Sequence, residues 1–154
     1  MAVKLATRSA QWPLVSEFIF SFDDTMLDIT GASKTFGAGG TAVNGIFDII
    51  KLPPGAEILG GQVVVELQGV GPSPYTAKLG VAGNDAIYLA AATCDLLGAV
   101  NVRYAILTTT TLGSNTGLNV RMTMVNTGAA ATAGKWRVSV FWKLDGKANE
   151  VYPI

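Results

Sequence analysis

The chain of 154 residues has no histidine, one cysteine and few charges, and each shortage removes a class of function. Without histidine there is no Ser-His-Asp or Cys-His nucleophilic pair and no imidazole-ligated zinc. The commonest general base near neutral pH is missing too. Cys94 stands alone, so no disulfide can form within the chain. Its apolar setting (Ala90–Thr93, Leu96, Leu97) suits a small buried hydrophobe. No run reaches the ~18 uninterrupted apolar residues of a spanning helix. The nearest, Ala86 to Val100, is broken by Asp95. Met1–Gln11 carries Lys4 and Arg8 but no apolar h-region, so it does not read as a secretory signal, and synthesis in the cytosol is expected. Eleven bases balance eleven acids, which argues against a general nucleic-acid binder.

What the chain does have is apolar surface to dispose of. Hydrophobic residues make up 49% and charged residues 14%, and the mean hydropathy is +0.39 for a mass of 16.0 kDa. Such a chain forms one domain with one core. A soluble monomer of this mass exposes roughly 7,400 Å², thinly covered by so few charges, so part of the surface is expected to meet a partner. The charges are also unevenly spread. Residues 1–16 carry +2 (Lys4, Arg8), residues 17–100 hold three bases and nine acids, and residues 101–154 hold six bases and two acids. Such a split either joins neighbouring subunits or disappears when strands from both halves interleave.

The periodicity is that of an all-β chain. From Glu17, Phe18, Phe20 and Phe22 alternate with Ile19, Ser21 and Asp23, the mark of a half-buried strand. Gly31 to Gly45 reads as a flexible loop. Ile46–Leu52 is a β-branched run stopped by Pro53-Pro54-Gly55. Ile58 to Gln68 is a strand in which Gly60-Gly61 suggests a bulge. Tyr75–Val81 alternates, Ala86–Leu97 is a short helix or irregular crossing, and Val102, Tyr104 and Ile106 open a strand running into Thr108–Thr111. Gly113–Gly117 is a hairpin loop before Leu118–Met124. In the last clear strand Trp136, Val138, Val140, Trp142 and Leu144 face one way, and Lys135, Arg137, Ser139, Phe141 and Lys143 the other. Asp145-Gly146 is a turn signal. The pattern predicts a single-domain β-sandwich, jelly-roll-like, at 17–154, with an extended N-terminal arm at 1–16.

Motifs with chemistry are scarce. Gly37–Thr41 lacks the Lys-Ser/Thr pair and the following helix of a phosphate loop. Asp23, Asp24 and Asp28 could supply half of a calcium shell, but Asp and Thr after a strand are also ordinary turn residues. No opposed carboxylate pair of a glycosidase is nominated. Trp12, Trp136 and Trp142 would be the stacking residues of a carbohydrate-binding module, yet the last two sit on the expected core face. Phe141, among charges, is the exposed-aromatic candidate for a subunit contact. Trp12 is either an anchor on a neighbour or a plug for its own core. No catalytic residue and no cofactor, metal or small-molecule site is assigned, and no enzyme activity is expected.

Three stretches go beyond pattern. Phe47-Asp48-Ile49-Ile50-Lys51-Leu52-Pro53-Pro54-Gly55-Ala56-Glu57-Ile58-Leu59-Gly60-Gly61 is similar to the strand–turn–strand of small virion proteins of tailed bacteriophages. Leu79–Asp85 with Tyr88-Leu89-Ala90 resembles their middle loop, and Trp136–Val140 through Asp145–Glu150 their closing strand and tail. The resemblance spans residues 47–150 and leaves the arm unaccounted for. It implies a capsid decoration (cement) protein: a jelly-roll or sandwich subunit, usually a homotrimer, on the capsid exterior at symmetry axes, bound to the major capsid protein. It transfers no catalytic residues. A tail or connector component and a carbohydrate-binding module are the alternatives. The expected subunit and capsid contacts are Lys4, Arg8, Trp12 and Phe141, with the arm gaining order by lying across a neighbour.

Overall fold

Alternating side chains commit most of this sequence to strands, and the strands close on one another as two sheets. The structure, a computed structural model, describes residues 13–40, 43–106 and 117–144. Ten strands are present among them: β1 (Leu14–Ser21), β2 (Thr25–Leu27), β3 (Ser33–Thr35), β4 (Gly45–Leu52), β5 (Ala56–Val70), β6 (Tyr75–Val81), β7 (Asn84–Leu89), β8 (Arg103–Ile106), β9 (Leu118–Asn126) and β10 (Ala133–Leu144). One sheet runs β1-β10-β5-β8, the other β4-β9-β6-β7, and β2-β3 is a small separate hairpin. Every pairing is antiparallel.

The order is nested. With the β2-β3 hairpin set aside, the first strand pairs with the last, β4 with β9, β5 with β8, and β6 with β7. This is one long hairpin rolled into a sandwich, the jelly-roll topology expected from the strand count. It also places the start of β1 beside the end of β10, with Leu14 opposite Trp142. The first described strand therefore begins where the last one ends, at the same end of one sheet.

Between the sheets lies an aromatic spine. Phe47 of β4 meets Phe36 at 4.7 Å between ring centres, Phe36 meets Phe20 at 4.9 Å, and Phe20 meets Trp136 at 5.2 Å. Trp136 then stands edge-on to Tyr75 of the opposite sheet, 5.2 Å away. Contacts of this kind add about 0.5–1.5 kcal/mol each to the area they bury. Around the spine pack Val63, Val65, Leu79, Val120, Met122, Met124, Val138 and Val140, all buried. The core face read for the last strand is correct at Trp136, Val138 and Val140, while Trp142 and Leu144 are half-buried at its end.

Three readings of the sequence change. Gly31 to Gly45 is not merely a loop: it contains β3 and places Phe36 in the core. The chain there is held by Phe36 N–H to the Asp24 carbonyl (3.1 Å) and Gly37 N–H to that of Phe22 (2.7 Å). A Cβ on Gly37 would meet that carbonyl at 2.6 Å, which explains a glycine beside the buried ring. Ala86–Leu97 forms no helix. Ala86–Leu89 belongs to β7, and the rest crosses between the sheets as turns. The crossing is fixed by Trp136 Nε1 and Gly69 N–H, both donating to the Leu96 carbonyl. It buries Cys94 and Leu96. Finally, β1 begins at Leu14, three residues before the alternation becomes visible at Glu17, because pairing with β10 needs only backbone groups.

The bulge expected at Gly60-Gly61 is present. Gly60 lies opposite Phe141 and Ile58 opposite Trp142, so Leu59 is the extra residue on β5. Thr108–Thr111 and most of Gly113–Gly117 lie outside the described residues.

Candidate interaction surface

The outward face of the β1-β10-β5-β8 sheet carries the one predicted contact residue that the structure describes. Phe141 is half-buried there, opposite Val15 of β1 and Gly60 of β5. Val15 is 54% exposed, and Leu59 at the bulge 43%. Lys4, Arg8 and Trp12 lie outside the described residues.

Next to this apolar end the sheet is laced by charge. Arg137 Nε lies 3.2 Å from Glu66, and Arg137 Nη1 lies 3.9 Å from Glu17. Lys135 also reaches Glu66 at 3.5 Å, Lys143 meets Glu57 at 2.7 Å, and the Ser139 hydroxyl donates to Glu17 at 2.8 Å. On the other sheet Arg121 meets Asp48 at 2.9 Å. Each of these ion pairs joins a base from the last third of the chain to an acid from its earlier part. The uneven charge distribution is thus largely spent inside the fold, because nested pairing sets late strands beside early ones.

Asp23, Asp24 and Asp28 do not converge. No three potential metal-ligating carboxylates, thiols or imidazoles gather among the described residues. Asp24 Oδ2 accepts the Ser21 N–H at 2.7 Å. Asp28 Oδ1 accepts Thr30 N–H, Thr30 Oγ1 and Ala32 N–H, closing the β2-β3 turn. The Thr30 hydroxyl bond, with those backbone donors, holds the Asp28 carboxyl below its usual pKa. Asp48 is lowered as well, chiefly by its bond from Arg121. Burial pushes the Cys94 thiol up to about 12. The two described carbohydrate-stacking candidates face inward: Trp136 is fully buried, and Trp142 Nε1 donates to Ser16 Oγ at 2.9 Å.

A feature absent from the sequence reading lies at the free edge of β1. A cleft of about 240 Å³ is lined by Phe18, Ile19, Phe20, Asp24, Thr25, Met26 and Phe36. Three consecutive β1 residues line it, so it follows the strand's edge and not one face. Phe36, an isolated aromatic in a Gly-rich stretch, was the available signal.

No protein-family model matches the chain, and no curated protein does. Two solved structures share its fold. One is a chain of the cyanophage Pam1 capsid asymmetric unit, aligned at a TM-score of 0.59 and 20% identity over 92% of this chain and 94% of that one. The other belongs to the acidic stable capsid structure of Helicobacter pylori bacteriophage KHP30, at 0.59 and 14%, over 90% and 92%. At these identities the likeness is one of fold, and it runs nearly end to end on chains of matching length. The structural neighbours are phage capsid proteins.

Proposed function

We propose that this protein is a structural component of a phage virion that binds the assembled capsid shell from outside, as a decoration or cement protein. The observation that carries the reading is the end-to-end likeness of the whole jelly roll to two phage capsid chains. The chemistry of the chain supports it. Histidine is absent, the thiol is buried, and the described carboxylates other than Asp23 are engaged in turns and ion pairs, an economy suited to binding and not to turnover. The partner is the major capsid protein, and the working form is a homotrimer. A ligand that binds only the assembled shell stabilises it by mass action, and many copies multiply a modest contact energy.

The test is electron microscopy and co-sedimentation of purified protein with undecorated shells of its phage. Saturable binding to shells and a raised shell-disruption temperature are expected. Binding to tails or connectors alone would replace this reading with another virion role.

A further inference from the structure

We infer that the free edge of β1 and the aromatic cleft beside it receive the N-terminal segment (residues 1–12) of a second copy of this chain, added as an extra strand. The inference concerns self-association and does not rest on the capsid reading.

The receiving site is built from three features. β1 is the outermost strand of its sheet, and its eight residues pair with β10 without a register shift. Its other side is therefore a regular row of backbone donors and acceptors as far as Ile19, a template for an added strand. The row ends at Ser21, whose N–H and carbonyl are both bonded to Asp24. The corresponding edge of β4 is engaged, because Ile29 N–H donates to the Ile46 carbonyl at 2.9 Å. Beside β1 the cleft presents Phe18 and Met26, half-buried over the buried rings of Phe20 and Phe36, and alternate residues of an added strand would cover the first two. On the outward side stand Val15 and Ile19, 54% and 50% exposed.

The N-terminal segment suits this site in length, pattern and charge. Twelve extended residues reach about 40 Å, against about 27 Å for an eight-residue strand. Val3 and Leu5 alternate with Lys4, with Arg8 four residues further on the same side as Lys4. With Val3 and Leu5 over the cleft, Lys4 and Arg8 fall on the outward side. Glu17 lies there, shared with Arg137 and Ser139, and Asp23 follows the strand's end. Asp23 takes part in no ion pair among the described residues.

A neighbour's segment is favoured over the chain's own by the residues that join it to β1. Folding back on its own strand would need a tight reversal at Trp12-Pro13. Two-residue hairpin turns require positive φ at the first position, which strains tryptophan, and the residue before proline prefers extended backbone. The sequence thus directs the segment onward. Passing it from each copy to the next is a head-to-tail contact, which forms a ring when the rotation between copies closes and a filament when it does not.

The experiment uses full-length chains without any shell. Leu5→Cys and Thr25→Cys variants are oxidised separately and mixed, with buried Cys94 silent in both. Crosslinking at least about tenfold faster in the mixture is expected, since the strand site brings these two positions together between copies. Equal rates in mixture and in isolation would overturn the inference. So would rapid in-chain closure in the Leu5→Cys/Thr25→Cys double variant at high dilution, which would assign the site to the chain's own segment. Independently, light scattering should show the wild type associated and the Val3→Asp/Leu5→Asp variant dissociating at about tenfold higher concentration or more. A wild type that is monomeric at all micromolar concentrations overturns the inference and leaves shell binding to be judged by its own test.

Discussion

Trp136 shows what one side chain does in this core. Its ring touches Phe20 and Tyr75, and its N–H is spent on the Leu96 carbonyl that also anchors Gly69. Truncation to alanine therefore removes packing, two aromatic contacts and a hydrogen bond together. Urea unfolding of Trp136→Ala should show a loss of about 3–5 kcal/mol. Across the same strand, Arg137→Ala removes ion pairs from a partly exposed guanidinium, and a loss below about 1 kcal/mol is expected. Equal losses at the two positions would mean that both faces of β10 are core. Cys94 makes a chemical prediction. With its thiol pushed up to about 12, it carries almost no thiolate at neutral pH. A thiol reagent should label the native protein only as fast as the protein opens, and the unfolded protein at once.

The β5–β10 pair is where strand design is tightest. A Cβ on Gly61 would lie 2.2 Å from the Ser139 carbonyl oxygen and 3.1 Å from the Val140 Cα, both backbone atoms that cannot swing aside. Gly61→Ala should therefore destabilise by about 1–3 kcal/mol, read from the unfolding midpoint, although alanine is the better strand residue in isolation. The β4–β9 pair carries a pH dependence instead. Asp48 is held below its ordinary value of 3.8 by Arg121. A depressed carboxyl pKa contributes stability that is complete above the unfolded value and is lost as the pH falls through the folded one. Asp48→Asn should cost roughly 0.5–1 kcal/mol at neutral pH. In acid well below 3.8 the two proteins should be nearly equal in urea unfolding. An undiminished difference in acid would show that the contribution is not ionic.

Nested pairing sets the behaviour of the molecule as a whole. Joining β1 to β10 closes a loop of more than a hundred residues, from Ser21 to Ala133, and the β4–β9 and β5–β8 pairs are long-range as well, with only the innermost β6–β7 hairpin local. Chains dominated by such pairings fold in milliseconds to seconds or slower. Stopped-flow refolding should place this protein at the slow end, and microsecond folding would contradict the topology. The same nesting pairs early acids with late bases on both sheets. What these pairs leave exposed at one end of the β1-β10-β5-β8 sheet is chiefly apolar side chains and strand-edge backbone, at β1 and around Phe141.

Much of this was legible along the chain. Alternation over Phe18–Phe22, Tyr75–Val81 and Trp136–Val140 is a property of neighbouring residues, so it reports strands and their buried faces without any knowledge of partners. Gly60-Gly61 announced its bulge because glycine tolerates the backbone geometry, and the lack of histidine spoke directly to chemistry. What stayed hidden depends on distant residues. Phe36 reads as loop because its neighbours are Gly, Ala and Ser, and it becomes core only when Phe20 and Phe47 arrive from two different sheets. Ala86–Leu97 carries helix-forming alanines and leucines, but β6 offers backbone partners to its beginning, and Trp136 and Gly69 claim the Leu96 carbonyl. The charge split allowed two readings, a contact between subunits or cancellation within the fold, and the ion pairs among the described residues favour the second, because only the pairing order decides which acid meets which base. The cleft beside β1 is the extreme case. Its walls come from β1, β2 and the segment after β3, and no local pattern encodes the space that three separate segments leave between them.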